Sequence, residues 1–288
     1  MLSALRRTWP LAFLLTASGC KPLAIHISED FLEKGRSALD EETDTRLARD
    51  AFPAQLESLK ALLANAPNNR KLLRLTSQAF AGYAFLFLDD VQPARAKEIY
   101  ERASRYAARS IARNPRLKKL LVAKTLPQFQ AVLRRARRGD VPDLFWYGFG
   151  EAGRIRLSGD SPDALADLPK VVLLMKRVRK LDESYNFAGA DVVLGVYYAS
   201  KPQMLGGNPA EAKDHFERAE DLTRHAFLMT PVLEARYYAT AVQDQSLYKR
   251  LLSRVLEAKP GVLPHAGLAD QVAKERAQAM LKKINDYF

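Results

Sequence analysis

Pro93-Ala-Arg-Ala-Lys-Glu-Ile-Tyr-Glu-Arg-Ala103 returns 116 positions later, without a gap, as Pro209-Ala-Glu-Ala-Lys-Asp-His-Phe-Glu-Arg-Ala219. Each copy holds Ala-x3-aromatic-x2-Ala: Ala96, Tyr100 and Ala103, then Ala212, Phe216 and Ala219. Positions i, i+4 and i+7 share one helical face, so two small residues flank one ring. A neighbouring helix can approach that face closely while the ring fills the gap. Plain helix packing would also place alanine and aromatic residues on a core face. The matched prolines that close both runs, Pro115 and Pro231, argue for a repeat instead.

Outward from this pair, helix follows helix. Residues 44–66 form an apolar-periodic segment interrupted at Pro53, and 70–88 a second that ends at Asp89-Asp90. The repeated helix covers 93–114, with proline in the favoured first turn. Residues 116–138 give one broken helix or two short ones divided near Pro127. Others are expected from about 142 to 158, then over 170–183, 186–200, 209–230, 232–242, 244–258 and 268–287. No run sustains strict alternation, and no two-residue hairpin signal joins strand-like runs. The fold class is therefore all-α, built from antiparallel helix pairs. Gly82 and Gly195, each with an aromatic three residues on (Phe85, Tyr198), would let the two helices of a pair approach. The unit resembles a tetratricopeptide repeat, with a lengthened loop over 201–207 in the second copy. One unit cannot bury its apolar face alone, so other helices must pack on both copies. The interval implies two pseudo-repeated halves, 44–158 and 164–288, within one domain over 43–288.

The N-terminus reads as an export signal. Arg6 and Arg7 precede the apolar Leu11-Ala-Phe-Leu-Leu15, which leads into Thr16-Ala-Ser-Gly-Cys20. Residues 1–19 thus have a basic region, a short apolar region and small residues at a cleavage point, and are too short to span a membrane. The ending resembles a bacterial lipobox, in which cleavage before Cys20 leaves its thiol to carry lipid. Cys20 is the only cysteine, which excludes a disulfide within the chain. An ordinary secretory signal with an incidental cysteine is the competing reading. Residues 20–42 read as a lipid-anchored tether. The expected location is the periplasm, anchored to a membrane. Lys21, where aspartate would signal inner-membrane retention in enteric-type sorting, leans towards the outer membrane.

The order of short motifs then resembles a known family. Ala-Arg-Asp-Ala-Phe-Pro at 48–53, Leu-Glu-Ser-Leu at 56–59 and Pro67-Asn-Asn69 are followed by Gly82-Tyr-Ala-Phe85. Tyr100, Tyr106 and Arg109, Phe145-Trp146, Asp167-Leu-Pro169, Gly206-Gly207 and His215-Phe216 continue the series to Arg276-Ala and Asp286-Tyr-Phe288. From residue 40 the chain is similar to the T component of tripartite ATP-independent periplasmic (TRAP) transporters. The resemblance implies a periplasmic lipoprotein with a tetratricopeptide-like fold. It also implies association with the extracytoplasmic solute-binding P component and a homo-oligomer around an apolar ligand passage.

Signs of catalysis are sparse. Gly148, Gly150 and Gly153 match Gly-x-Gly-x-x-Gly, but no βαβ pattern surrounds them, so close helix packing accounts for them better than a dinucleotide. His215 and His225 are ten residues apart, about 280° around a helix, and cannot converge on one metal from it. His225 with Asp221 reads as a surface pair, and Asp89-Asp90 as turn formation at a helix end. No cofactor, metal or catalytic residue is assigned, and the chain reads as a non-enzyme. Apolar residues at 48% and charged residues at 27% exclude general disorder. The formal net charge is +12, and residues 113–138 hold nine Lys and Arg without an acidic residue. Export makes nucleic acid a poor partner for that stretch. A solvated face, an anionic membrane or an acidic protein domain all fit it.

The reading is an accessory lipoprotein of a TRAP-type solute transport system that docks the P component and holds an apolar ligand. A periplasmic enzyme acting on envelope polymers and a passive envelope assembly scaffold are the alternatives. Most aromatics beside the repeated helices should be core. Tyr83, Trp146 and Tyr198 are singled out as lining a ligand or partner groove.

Overall fold

Asp44 opens the first long helix: its carboxylate accepts from the backbone N–H groups of Arg46 and Leu47, which have no partner within the helix. The computed structural model describes residues 34–159 and 161–288. The signal segment 1–19, Cys20 and the tether as far as residue 33 lie outside the described residues. Helix α1, Thr45–Asn65, runs through Pro53 rather than breaking there. Ala48 and Phe52 before the proline and Leu56, Leu59 and Leu63 after it are buried along one face. That burial offsets the cost of about 3 kcal/mol for an interior proline, whose own ring is exposed.

The remaining helices are α2 (Arg70–Tyr83), α3 (Pro93–Ala112), α4 (Leu126–Leu133), α5 (Val141–Arg156) and α6 (Pro162–Leu181). They continue with α7 (Tyr185–Ser200), α8 (Pro209–Leu222), α9 (Met229–Leu233), α10 (Gln245–Glu257) and α11 (Gly267–Lys282). Among the described residues there is no strand, and the fold is all-α. Helices α2, α3 and α5 pack mutually, and α5 through α8 then pack each on the next. The last helix returns to the first, α11 against α1. Thr45 Oγ1 donates to Glu275 at 2.5 Å across that closure.

Residues 116–138 give two short pieces, a 3-10 turn over Lys118–Val122 and the eight residues of α4, as one of the two expected alternatives has it. Three other expected segments differ. Helix α6 begins at Pro162, eight residues before the expected start, and passes through Pro169. Helix α8 stops at Leu222, because Arg224 and His225 take left-handed backbone angles, φ 53° and 56°. Thr223 closes the turn by donating to the Ala219 carbonyl at 2.8 Å. The end of the stretch read as tether is also part of the folded body. Residues 34–40 are helical, Leu39 packs on the core, and Ser37 Oγ meets His265 Nδ1 at 2.9 Å.

The repeated faces are buried as their spacing requires. Ala96, Ala103, Ala212, Phe216 and Ala219 have no exposed surface, and Tyr100 has almost none. The glycines behave differently in the two copies. A Cβ on Gly195 would stand 3.0 Å from the Phe216 ring, so this glycine does admit the partner helix. A Cβ on Gly82 would meet nothing within 4 Å. Tyr100 leans instead on Gly153 of α5, where a Cβ would come within 2.7 Å of three ring carbons.

Candidate functional site

Helix α2 ends in a π turn, Ala84–Leu88, in which the Asp89 N–H reaches the Ala84 carbonyl five residues back at 2.9 Å. Helix α9 runs into a second π segment, Glu234–Ala239. Such segments cost hydrogen-bond geometry and concentrate at functional sites. Both border the same space. Phe85, Phe149, Val192, Val193 and Leu233 line two cavities at once, one of about 530 Å³ and one of about 830 Å³. The volumes are those of small-molecule sites, and the shared wall is wholly apolar.

The smaller cavity has apolar sides and one charged end. Leu168, Val171, Val196 and Tyr197 line the sides. At the end, Arg156 donates to Asp89 at 2.6 Å, and Arg276 and Arg236 both pair with Asp90, Arg276 Nε at 2.7 Å. Arg276 also donates to the Phe85 carbonyl on the first π turn and lies over the Phe85 ring at 4.9 Å. Burial disfavours the Asp90 carboxylate, but the neighbouring Arg276 and Arg236 charges outweigh it and hold its pKa below the ordinary range. Three arginines against two aspartates leave one positive charge in excess beside an apolar chamber.

The larger cavity is aromatic. Phe145, Trp146, Tyr185, Phe187 and Phe227 line it. Trp146 Nε1–H donates to Tyr185 Oη at 3.1 Å, which satisfies the indole and fixes the ring. Asn186, Phe187 and Ala188 are all left-handed, with φ of 51°, 57° and 57°. Each such residue costs about 1–2 kcal/mol in an L-chain, so this turn persists only where packing enforces it. Phe187 stacks on Phe227 at 4.3 Å, and a Cβ on Gly189 would meet the Phe145 ring at 2.7 Å. The strain holds an aromatic pair at the cavity edge.

Of the three residues singled out from the sequence, Trp146 lines the larger cavity. Tyr83 packs between Phe52 and Phe87, outside the walls of both. Tyr198 stacks flat on His215 at 5.6 Å, and its neighbour Tyr197 is the one that faces a cavity. Periodicity could not separate Tyr197 from Tyr198, because α7 is apolar around most of its circumference and buries side chains on several sides. Asp89 and Asp90 do more than form a turn: they anchor the three arginines. Arg156 and Arg236 gave no sequence signal, since neither belongs to a motif and their shared end of the cavity is assembled from distant helices.

Gly148, Gly150 and Gly153 lie inside α5, against Met175, Ser104 and Tyr100 respectively. They serve close helix contact. His215 Nδ1 bonds the fully buried Asp191 at 2.7 Å, and His225 sits 3.7 Å from Asp221 and 2.8 Å from Glu220. Neither histidine lines a cavity. Among the described residues, no group of three or more His, Cys, Asp or Glu is placed to hold a metal ion. Nor is any helix there long and apolar enough to cross a membrane.

An uncharacterised protein of Treponema pallidum (strain Nichols) is 26% identical over 267 residues, spanning 86% of this chain and 81% of that protein. The profile of the TRAP transporter T-component family, a transport-accessory family rather than an enzyme family, matches residues 41–288. The chain therefore belongs to the TRAP transporter T-component family, with an accessory role in a TRAP transporter.

Proposed function

We propose that this protein is a periplasmic lipoprotein, held to its membrane through Cys20, that docks the solute-binding P component and passes an apolar ligand through its helical body. The observation that carries the ligand half is the shared wall of Phe85, Phe149, Val192, Val193 and Leu233 between the two cavities. Parting of that wall would join the two chambers into one passage. A ligand entering beside Trp146 and Phe187 would cross there and meet the arginine end. Ordinary apolar transfer, at about 25 cal/mol per Å² buried, suffices to hold it. Family membership supports the docking half. The lipid anchor, by confining the body to one surface, would raise its concentration near the transporter.

The test is isolation of the full-length protein from its native cell in mild detergent. Co-purification of a solute-binding protein, with an apolar molecule recoverable by solvent extraction, is the expected result. Turnover of envelope fragments by the purified protein, with no such partner, would replace the proposal with an enzyme.

A further inference from the structure

The excursion between α3 and α5 exposes aliphatic side chains among lysines. Leu117, Leu120, Phe129 and Leu133 fasten it to the body. Leu121, Ala123 and Val132 between them are partly buried on the same core, and the other side chains project. Val122 is 74% exposed and Leu126 41% exposed, with Lys118, Lys119 and Lys124 spaced among them, all exposed. Nine residues of chain hold these five side chains, so they stand together at one tip. Of the nine cations over 113–138, only Arg116, with Asp140, and Arg138, with Asp182, form ion pairs among the described residues. The other seven carry uncompensated charge.

We propose that this tip docks on an anionic phospholipid surface, Val122 and Leu126 entering below the headgroups while the lysines meet the phosphates. Charge complementarity names the surface. Each cation held near an anionic leaflet adds attraction, and long lysine stems let the ammonium stay at headgroup level as the backbone approaches. The apolar pair names lipid over protein. Protein interfaces centre on aromatic, methionine and arginine anchors with few other charges. Here two aliphatic side chains stand alone in a ring of lysines. Val91, also exposed, follows Asp89-Asp90 and has no such setting. Docking here would orient the body on its membrane as well as confine it.

The experiment uses the full-length chain carrying Cys20→Ala, which removes its only thiol, together with Val122→Cys labelled with an environment-sensitive fluorophore. The label reads the tip itself, so adsorption through the N-terminal segment gives no signal. The expected result is a blue shift on vesicles containing phosphatidylglycerol and none on pure phosphatidylcholine. Adding Lys118→Glu, Lys119→Glu and Lys124→Glu should lower the partition coefficient by about a hundredfold or more. These side chains are exposed, so circular dichroism should stay unchanged. No shift on anionic vesicles overturns the proposal, and so does undiminished partition of the triple variant. A label silent on vesicles but shifted by polyglutamate also overturns it, assigning the tip to an acidic protein.

Discussion

Tyr100 of α3 and Phe216 of α8 hold equivalent places in the repeated sequence, yet each ring rests on a glycine from a different direction. Phe216 meets Gly195 on α7, the helix just before it. Tyr100 meets Gly153 on α5, two helices further on, and Ser77 of α2 donates to the Ala103 carbonyl from the other side at 2.8 Å. Helix α3 is therefore clamped between two neighbours, whereas α8 packs chiefly on one. The clamp releases Gly82 from helix packing, and that glycine lines the larger cavity instead. The same eleven-residue pattern thus makes a simple pair in the second copy and the wall of a cavity in the first.

Substitutions at matched positions can break this contrast. Ala103→Leu should destabilise by about 3 kcal/mol and Ala219→Leu by about 1, because only the second site has a neighbour free to shift. Urea midpoints would show it, and equal losses would mean that α3 is not clamped.

The electrostatics of the two regions should oppose each other with pH. Near α8, burial first and then the adjacent Glu220 raise the Glu234 carboxyl from 4.5 to about 7. A raised acid favours the folded state only while protonated, so stability should fall between about pH 4.5 and 7 by about 3 kcal/mol. Glu234→Gln should flatten that slope and leave the protein more stable at pH 8. Near the cavity Asp90 is shifted down, so its contribution is present above its ordinary value and lost in acid. Denaturation across pH checks both signs, and a Glu234→Gln variant with an unchanged slope would remove Glu234 as the cause.

The smallest effects come from the glycines. Gly153→Ala should cost about 2 kcal/mol and Gly195→Ala about 1, as the new Cβ presses on Tyr100 or Phe216. Gly82→Ala should stabilise by about 0.5–1 kcal/mol, since alanine gains helix propensity and meets nothing. A loss at Gly82 would restore the symmetrical repeat that the sequence implied.

The helices and their buried alanines were legible because 3.6-residue periodicity and proline or glycine stops are local. Partner choice was not. Nothing within 93–103 tells Tyr100 to lean on Gly153 instead of Gly82. Pro53 was read as an interruption because its cost is local, while the burial that overrides it comes from other helices. The cavities were least visible. Their shape depends on two π segments and a left-handed turn at 186–188, each enforced by packing and unmarked by glycine. Trp146 was reached through density of aromatics, a signal that serves Tyr83 in the core equally well.

The passage itself is most directly tested by titrating an apolar fluorescent probe, 1-N-phenylnaphthylamine, into the protein with residues 1–19 removed, whose one tryptophan is Trp146, and into its Trp146→Phe variant. Energy transfer from Trp146 should appear saturably in the wild type and vanish in the variant while the probe still binds. Phe85→Arg, which puts a charge into the shared wall, should weaken that binding by at least about tenfold. Unsaturable binding, or transfer that is the same with and without Trp146, would contradict an apolar passage beside that ring.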